Sequence, residues 1–136
     1  MLDSSVLIAA ERAEFRLEEF LTAAGSEPVA ISAVTASELL HGYHRATASG
    51  VRARRAAFVE GTLDLFTVLP FGLAEARRHA ELWATLVATG ATIGPHDLII
   101  AATALTHGMS LATLNQDEFS RVSGLKLAAT HRWQRQ

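Results

Sequence analysis

Asp3, Glu38 and Asp97 are the carboxylates of this chain whose settings single them out for chemistry, and Asn115 and Asp117 join them by position. Asp3 directly follows a short apolar stub at Leu2, and Asn115 and Asp117 follow a short apolar run that contains Leu111-Ala112. In open parallel sheets, ligands bind beyond the carboxyl ends of the strands, so these positions point to one crevice. Glu38 lies in Ala36-Ser37-Glu38-Leu39-Leu40-His41-Gly42, and Asp97 in Gly94-Pro95-His96-Asp97-Leu98-Ile99-Ile100. Three such carboxylates brought together cannot all ionise unless a cation neutralises them. There are no cysteines and no H-E-x-x-H pattern, so the available ligands are oxygens. That selects a hard ion, Mg²⁺ or Mn²⁺. Such an ion binds phosphate, acidifies water and stabilises charge in an in-line phosphoryl displacement.

Each residue also has a plainer explanation. Asp97 in the first turn of a helix complements the macrodipole. That helix, however, is apolar nearly all round, and a charge at the mouth of a buried helix needs a partner or a metal. Ala36, Leu39, Leu40 and Tyr43 form the apolar face of the Glu38 helix. Periodicity therefore places Glu38, with Val34, His41 and Arg45, on the opposite, solvent-facing or cleft-lining stripe. Gly42, one turn on, costs a helix about 1 kcal/mol relative to alanine and leaves room for a ligand. Asp3, Asn115 and Asp117 are also ordinary turn and cap residues.

The elements that would position these residues alternate between short β-branched runs and longer helical patterns. Strands are expected at Leu2, at 29–31, at 65–69, at 111–112 and at 126–129. Helices are expected over 5–24 with a break near Ala13, over 32–48 ended by Ser49-Gly50, and over 51–62. Others should run over 72–88, over 95–107 with Pro95 in the first turn, and briefly over 117–122. This order predicts an α/β domain with a mostly parallel sheet. Leu73, Ala76, Ala80, Trp83 and Val87 form one stripe on the 72–88 helix, read as a core or subunit contact.

Composition narrows the function. The chain has 136 residues, 49% hydrophobic and 19% charged, with 9 Gly and 3 Pro, which excludes a disordered or collagen-like chain. One domain spanning 1–136 is the simplest organisation. The longest apolar run, Leu98 to Leu105, falls short of the ~20 residues of a membrane span. No basic segment opens the chain, so a signal peptide is not expected and a cytoplasmic location is. A net charge of −2 means that any nucleic acid must be met by a local patch or a metal. No P-loop, G-x-G-x-x-G or G-x-S-x-G is present.

Four motifs in register carry a resemblance. Asp3-Ser4-Ser5-Val6-Leu7-Ile8 resembles the opening Asp-Thr-Ser/Asn motif of PIN domains, and Ser37-Glu38-Leu39-Leu40-His41-Gly42 resembles their Ser-Glu-Leu-x-x-Gly helix. Asp97-Leu98-Ile99-Ile100-Ala101-Ala102-Thr103-Ala104 is similar to the third motif, and Thr113-Leu114-Asn115-Gln116-Asp117-Glu118-Phe119 to the fourth, a Thr-x-Asn/Asp segment ending in Asp/Glu-Phe. The nearest group is the VapC toxins. The resemblance implies a PIN-like three-layer α/β/α sandwich and a Mg²⁺- or Mn²⁺-dependent endoribonuclease toxin that hydrolyses RNA with water and inhibits translation. Asp3 and Asp97 would be the chief metal ligands, with Glu38 and Asn115 beside them. Asp3, Glu38, Asp97 and Asp117 would make up the catalytic set, and either Asn115 or Asp117 would complete the site. Ser4, Ser5 and Arg45 would position substrate or water, with Arg12 and Arg16 as further candidates for RNA phosphates. The resemblance also implies a homodimer and a VapB-like antitoxin. The alternatives are an inactive PIN-like binding module and a haloacid-dehalogenase-like phosphatase. The latter lacks its second acid, since Ser5 stands in that place.

Overall fold

The computed structural model describes residues 1–135. Its elements run α1 (Ser4–Glu11), α2 (Leu17–Ala24), β1 (Ala30–Ser32), α3 (Ala33–His44), α4 (Ser49–Leu65), β2 (Thr67–Leu69), α5 (Leu73–Thr89), α6 (Pro95–Thr106) and α7 (Gln116–Phe119), closing with a 3₁₀ turn over His131–Trp133. The sheet is parallel and made of very short strands. β1 pairs with β2 in the register Ala30–Thr67, Ile31–Val68, Ser32–Leu69. Leu2 donates to Ala30, and single parallel bridges join Leu2 to Ala112 and Leu111 to Leu127. The order across the sheet is thus β2, β1, the Leu2 segment, the 111–112 segment and the 127 segment.

Alternation along these stubs builds two cores, because successive strand side chains point to opposite faces. Met1 and Leu111 join Leu82 and Leu86 of α5 and Leu98, Ile100 and Ala104 of α6. Leu2, Ile31 and Ala112 join Val6 and Leu7 of α1, Leu39 of α3 and Val59 of α4. Helices cover both faces, giving the α/β/α sandwich.

Several boundaries differ from the sequence reading. Ser49-Gly50, expected to end a helix, begins α4, after Ala48 in extended conformation. α3 instead closes at His44. The expected strands at 111–112 and 126–129 are reduced to isolated bridges. The break near Ala13 is real, and Ala13 takes a positive φ of 59°. The stripe on α5 faces outward: Leu73, Trp83 and Val87 are 69%, 57% and 57% exposed, while Leu82 and Leu86 are buried. The stripe is therefore not core. Among the described residues, no helix is long and apolar enough to cross a membrane.

Candidate active site

The crevice forms at the carboxyl ends of the Leu2 and Leu111 segments, where α1, α3, α6 and α7 converge. Asp3 caps α1 and is 3% exposed. One of its oxygens accepts from the Ser4 N–H at 2.9 Å. The other accepts from Ser5 Oγ at 2.8 Å and from Thr113 Oγ1 at 2.7 Å. Both hydroxyls in turn accept backbone N–H groups, Ser5 from Leu114 at 3.0 Å and Thr113 from Asn115 at 3.0 Å. One buried carboxylate thereby locks the start of α1 to the 113–115 loop. Sequence reasoning gave Thr113 no role of its own. A Thr113→Val variant keeps the shape but leaves the Asn115 N–H without its acceptor and Asp3 short of one donor. It should lower stability by about 1–3 kcal/mol, read as a reduced midpoint in urea unfolding.

Glu38 projects from the middle of α3. Its Oε2 lies 3.9 Å from His96 Nδ1, and its Oε1 is buried without a hydrogen-bond partner among the described residues. Burial, then the neighbouring charge of Asp3, pushes its pKa upward. Glu38 is thus a cleft residue, not one turned to open solvent.

Asp97 sits in the first turn of α6, next to Pro95 at its start. Burial raises its pKa to about 7, helped by a hydrogen bond with Glu118 and by the charges of Asp3, Glu118 and Glu38. Glu118, in α7, is pulled the other way. Its Oε1 accepts from the Gly94 N–H at 2.7 Å, the main cause, and its Oε2 accepts from the Asn115 amide. The two acids titrate together as a pair, with the pKa of Asp97 pushed up and that of Glu118 pushed down. Asn115 Nδ2 also reaches Asp97 Oδ2 at 3.5 Å, so its amide bridges the two acids.

The acid that faces Asp97 from the fourth motif is Glu118; Asp117 beside it is exposed. Adjacent residues on a helix point about 100° apart, so only one of them can reach α6. Arg45 and Arg12 line a cavity with Glu38. Arg16 is directed elsewhere, pairing with Glu19 at 2.9 Å and donating to the Arg132 carbonyl.

Among the described residues, no three histidine, aspartate or glutamate side chains stand in direct ligating geometry around one point. The donor set nonetheless suits a hard cation that keeps its waters. All the side chains are oxygen donors of like charge. One oxygen, Glu38 Oε1, is buried without a close hydrogen-bond partner among the described residues. Burial followed by neighbouring acids raises the Asp97 pKa, strain that a cation would relieve.

This geometry coincides with a family match. Residues 1–125 match the PIN domain family. Ribonuclease VapC1 of Rickettsia felis is 39% identical over 127 residues, covering 93% of this chain and 92% of that protein. The tRNA(fMet)-specific endonuclease VapC of Shigella flexneri is 32% identical over 133 residues, covering 93% of each. Among solved structures, DNA-bound VapBC from Salmonella typhimurium superposes with a TM-score of 0.85 at 28% identity, over 94% of this chain and 95% of that one. The chain belongs to the PIN-domain family and, within it, to the VapC ribonucleases.

Proposed function

We propose that this chain is an endoribonuclease, dependent on Mg²⁺ or Mn²⁺, that hydrolyses RNA phosphodiester bonds as the toxin of a toxin–antitoxin pair and thereby inhibits translation in the cytoplasm. The observation that carries this reading is that Asp3, Glu38 and Glu118 lie near enough for their charges to act on the half-buried Asp97, in a chain of VapC type. Asp3 and Asp97 would hold the ion, with Glu38, Glu118 and the Asn115 amide completing its surroundings. When bound, a divalent ion supplies a more acidic water and neutralises charge on the phosphoryl group. Asp3 keeps a fixed orientation through Ser4, Ser5 and Thr113. Glu38, its pKa raised by burial, would accept a proton from the attacking water. Ser5 and Ser4 hold the entrance of α1 in place, and Arg45 steadies the RNA strand.

Excess EDTA should abolish cleavage, Mg²⁺ or Mn²⁺ should restore it, and Ca²⁺ should not, because its larger, looser shell places ligands differently. Mapping 5′-phosphate ends on RNA incubated with purified protein checks this. Robust cleavage in EDTA would replace the metal reading with a metal-free ribonuclease.

The exposed face of α5 supports a homodimer. Leu73, Trp83 and Val87 lie outward with Phe71, which stacks edge-on with His79 at 5.6 Å, as His79 does with Trp83 at 5.8 Å. Large aromatic groups in such patches are typical interface anchors. Trp83→Glu should convert a dimer to a monomer in light scattering at micromolar concentration; an unchanged mass would move the interface elsewhere. The solved VapBC relative supports a VapB-like antitoxin as partner. An arginine from such a partner would find a ready bidentate acceptor among the acids of the crevice.

A further inference from the structure

Beside Glu38 lies a cavity of about 100 Å³ that the acid cluster does not fill. Its charged lining is Arg12, Arg45 and Arg55 with the carboxylates Glu11 and Glu38, and Gly42 lies on the α3 side. The three arginines come from separate places: Arg12 ends α1, Arg45 ends α3, and Arg55 lies inside α4. Arg55 is held in position. Its Nη1 donates to the Gly42 carbonyl at 3.2 Å, and its Nε lies 3.7 Å from Glu11. Among the described residues, neither Arg12 nor Arg45 has a carboxylate within ion-pair distance. Cations at helix C-termini complement the macrodipole, but that alone does not require convergence on one cavity. Gly42 supplies the independent observation. It sits within α3, where glycine is unfavourable, yet a Cβ there would meet no atom within 4 Å. Nothing in the protein's own packing demands a glycine. What its absent side chain preserves is the space.

We propose that this cavity is a subsite for a backbone phosphate of the RNA, next to the phosphate being cleaved, with Arg12 and Arg45 as the grasping groups and Arg55 as a fixed wall. The inference rests on the ribonuclease reading and adds where the strand is held. The chain's net charge is −2, so steering of a polyanion must come from such a local group of guanidiniums. The forked donors of arginine suit phosphate oxygens. Ile8, Leu39 and Val59 at the cavity wall offer an apolar surface to the adjoining sugar. Because the subsite shares Glu38 with the acid cluster, a phosphate seated there sets the register of the strand over the carboxylates.

The test uses full-length protein carrying Asp97→Asn to prevent cleavage, and a fluorescein-labelled single-stranded RNA dodecamer titrated by anisotropy over a range of KCl. In that background, Arg12→Gln with Arg45→Gln should weaken binding about tenfold. It should also reduce the slope of log affinity against log salt by about 0.7, the value for one phosphate contact on a single strand. Gly42→Leu fills the space without touching a charge. It should raise the melting temperature by about 2–5 °C, as a helix former replacing glycine does, and still weaken RNA binding about tenfold. Gly42→Ala should show the same opposed changes, smaller in size. If Gly42→Leu and the arginine pair bind RNA with wild-type affinity and salt slope, while the otherwise wild-type enzyme cleaves RNA with Mg²⁺, the subsite is wrong and the ribonuclease reading stands. If the parent protein neither binds nor cleaves RNA, both fall. If Gly42→Leu keeps RNA affinity and instead loses a co-expressed antitoxin, the cavity is a protein pocket and the phosphate assignment is overturned.

Discussion

Asp97→Asn is expected to lower RNA cleavage by about 10³-fold or more, equivalent to roughly 4 kcal/mol of transition-state stabilisation, without unfolding the protein. Asparagine has the shape of aspartate, and α6 is secured by apolar contacts that do not involve the carboxylate, with Leu98, Ile100, Ala101 and Ala104 all buried. The substitution takes away the acid on which the charges of Asp3, Glu38 and Glu118 converge. On the proposed reading it thus removes both a ligand for the ion and a source of repulsion in its absence. The metal-free variant should melt no lower than metal-free wild type at pH 8, while multiple-turnover cleavage disappears. Retention of more than a tenth of wild-type kcat would show that Asp97 is not in the reacting centre. A collapse in melting temperature would show that its role is structural.

Metal-free protein should lose thermal stability as the pH rises from 5 to 8, the reverse of the usual behaviour of a carboxylate in an ion pair. Asp97 has a pKa of about 7 in the folded chain against an ordinary value of 3.8. Between those values the folded state holds a proton that the unfolded state has released. Stability falls with pH wherever the folded state binds more protons. Its stabilising contribution is therefore full at low pH and lost as the pH passes through about 7. Glu38, also raised, acts in the same direction. Glu118 is lowered, so its contribution is present above 4.5 and is lost only at more acid pH, outside this window. A divalent ion competes with the proton on Asp97, so its effect should grow with pH. At about 100 times its dissociation constant it should add ~2.7 kcal/mol and flatten or invert the slope. Melting curves at pH 5, 6, 7 and 8, in EDTA and in Mg²⁺, check both halves. A flat metal-free profile would mean that the acids are too far apart to strain one another.

The sequence was most informative where long periodic segments coincide with local chemistry. Pro95 and the apolar run after it define α6 and put Asp97 in its first turn, and the structure adds only its neighbours. The sheet was much less legible. Three of its five members are one or two residues wide, too short for alternation to show, and they are recognisable only through partners distant in the chain. Ser49-Gly50 reads equally well as a stop or a start when an alanine-rich helix lies on each side. Glu38 was ambiguous because a cleft and open solvent impose the same polar stripe on a helix. Asp117 and Glu118 form part of a four-residue helix, over which no period can be read, and only the Gly94 N–H decides which acid turns inward. The grouping of Arg12 and Arg45 with Arg55, and the departure of Arg16, depend on the angles between helices, which sequence patterns do not encode.

The bond from Thr113 to Asp3 spans 110 positions, and the amino terminus donates to the Ser110 carbonyl across 109. Asp3 is therefore made well before Thr113, one of the groups that orients its carboxylate. Local helices such as α1 form in about a microsecond or less, whereas a chain emerges at roughly 5–20 residues per second. Until those later residues emerge, the nascent polypeptide carries Asp3 and Glu38 without Asp97, Thr113 or Glu118. A site assembled from segments 110 positions apart stays incomplete on the nascent chain until the later segment has been made.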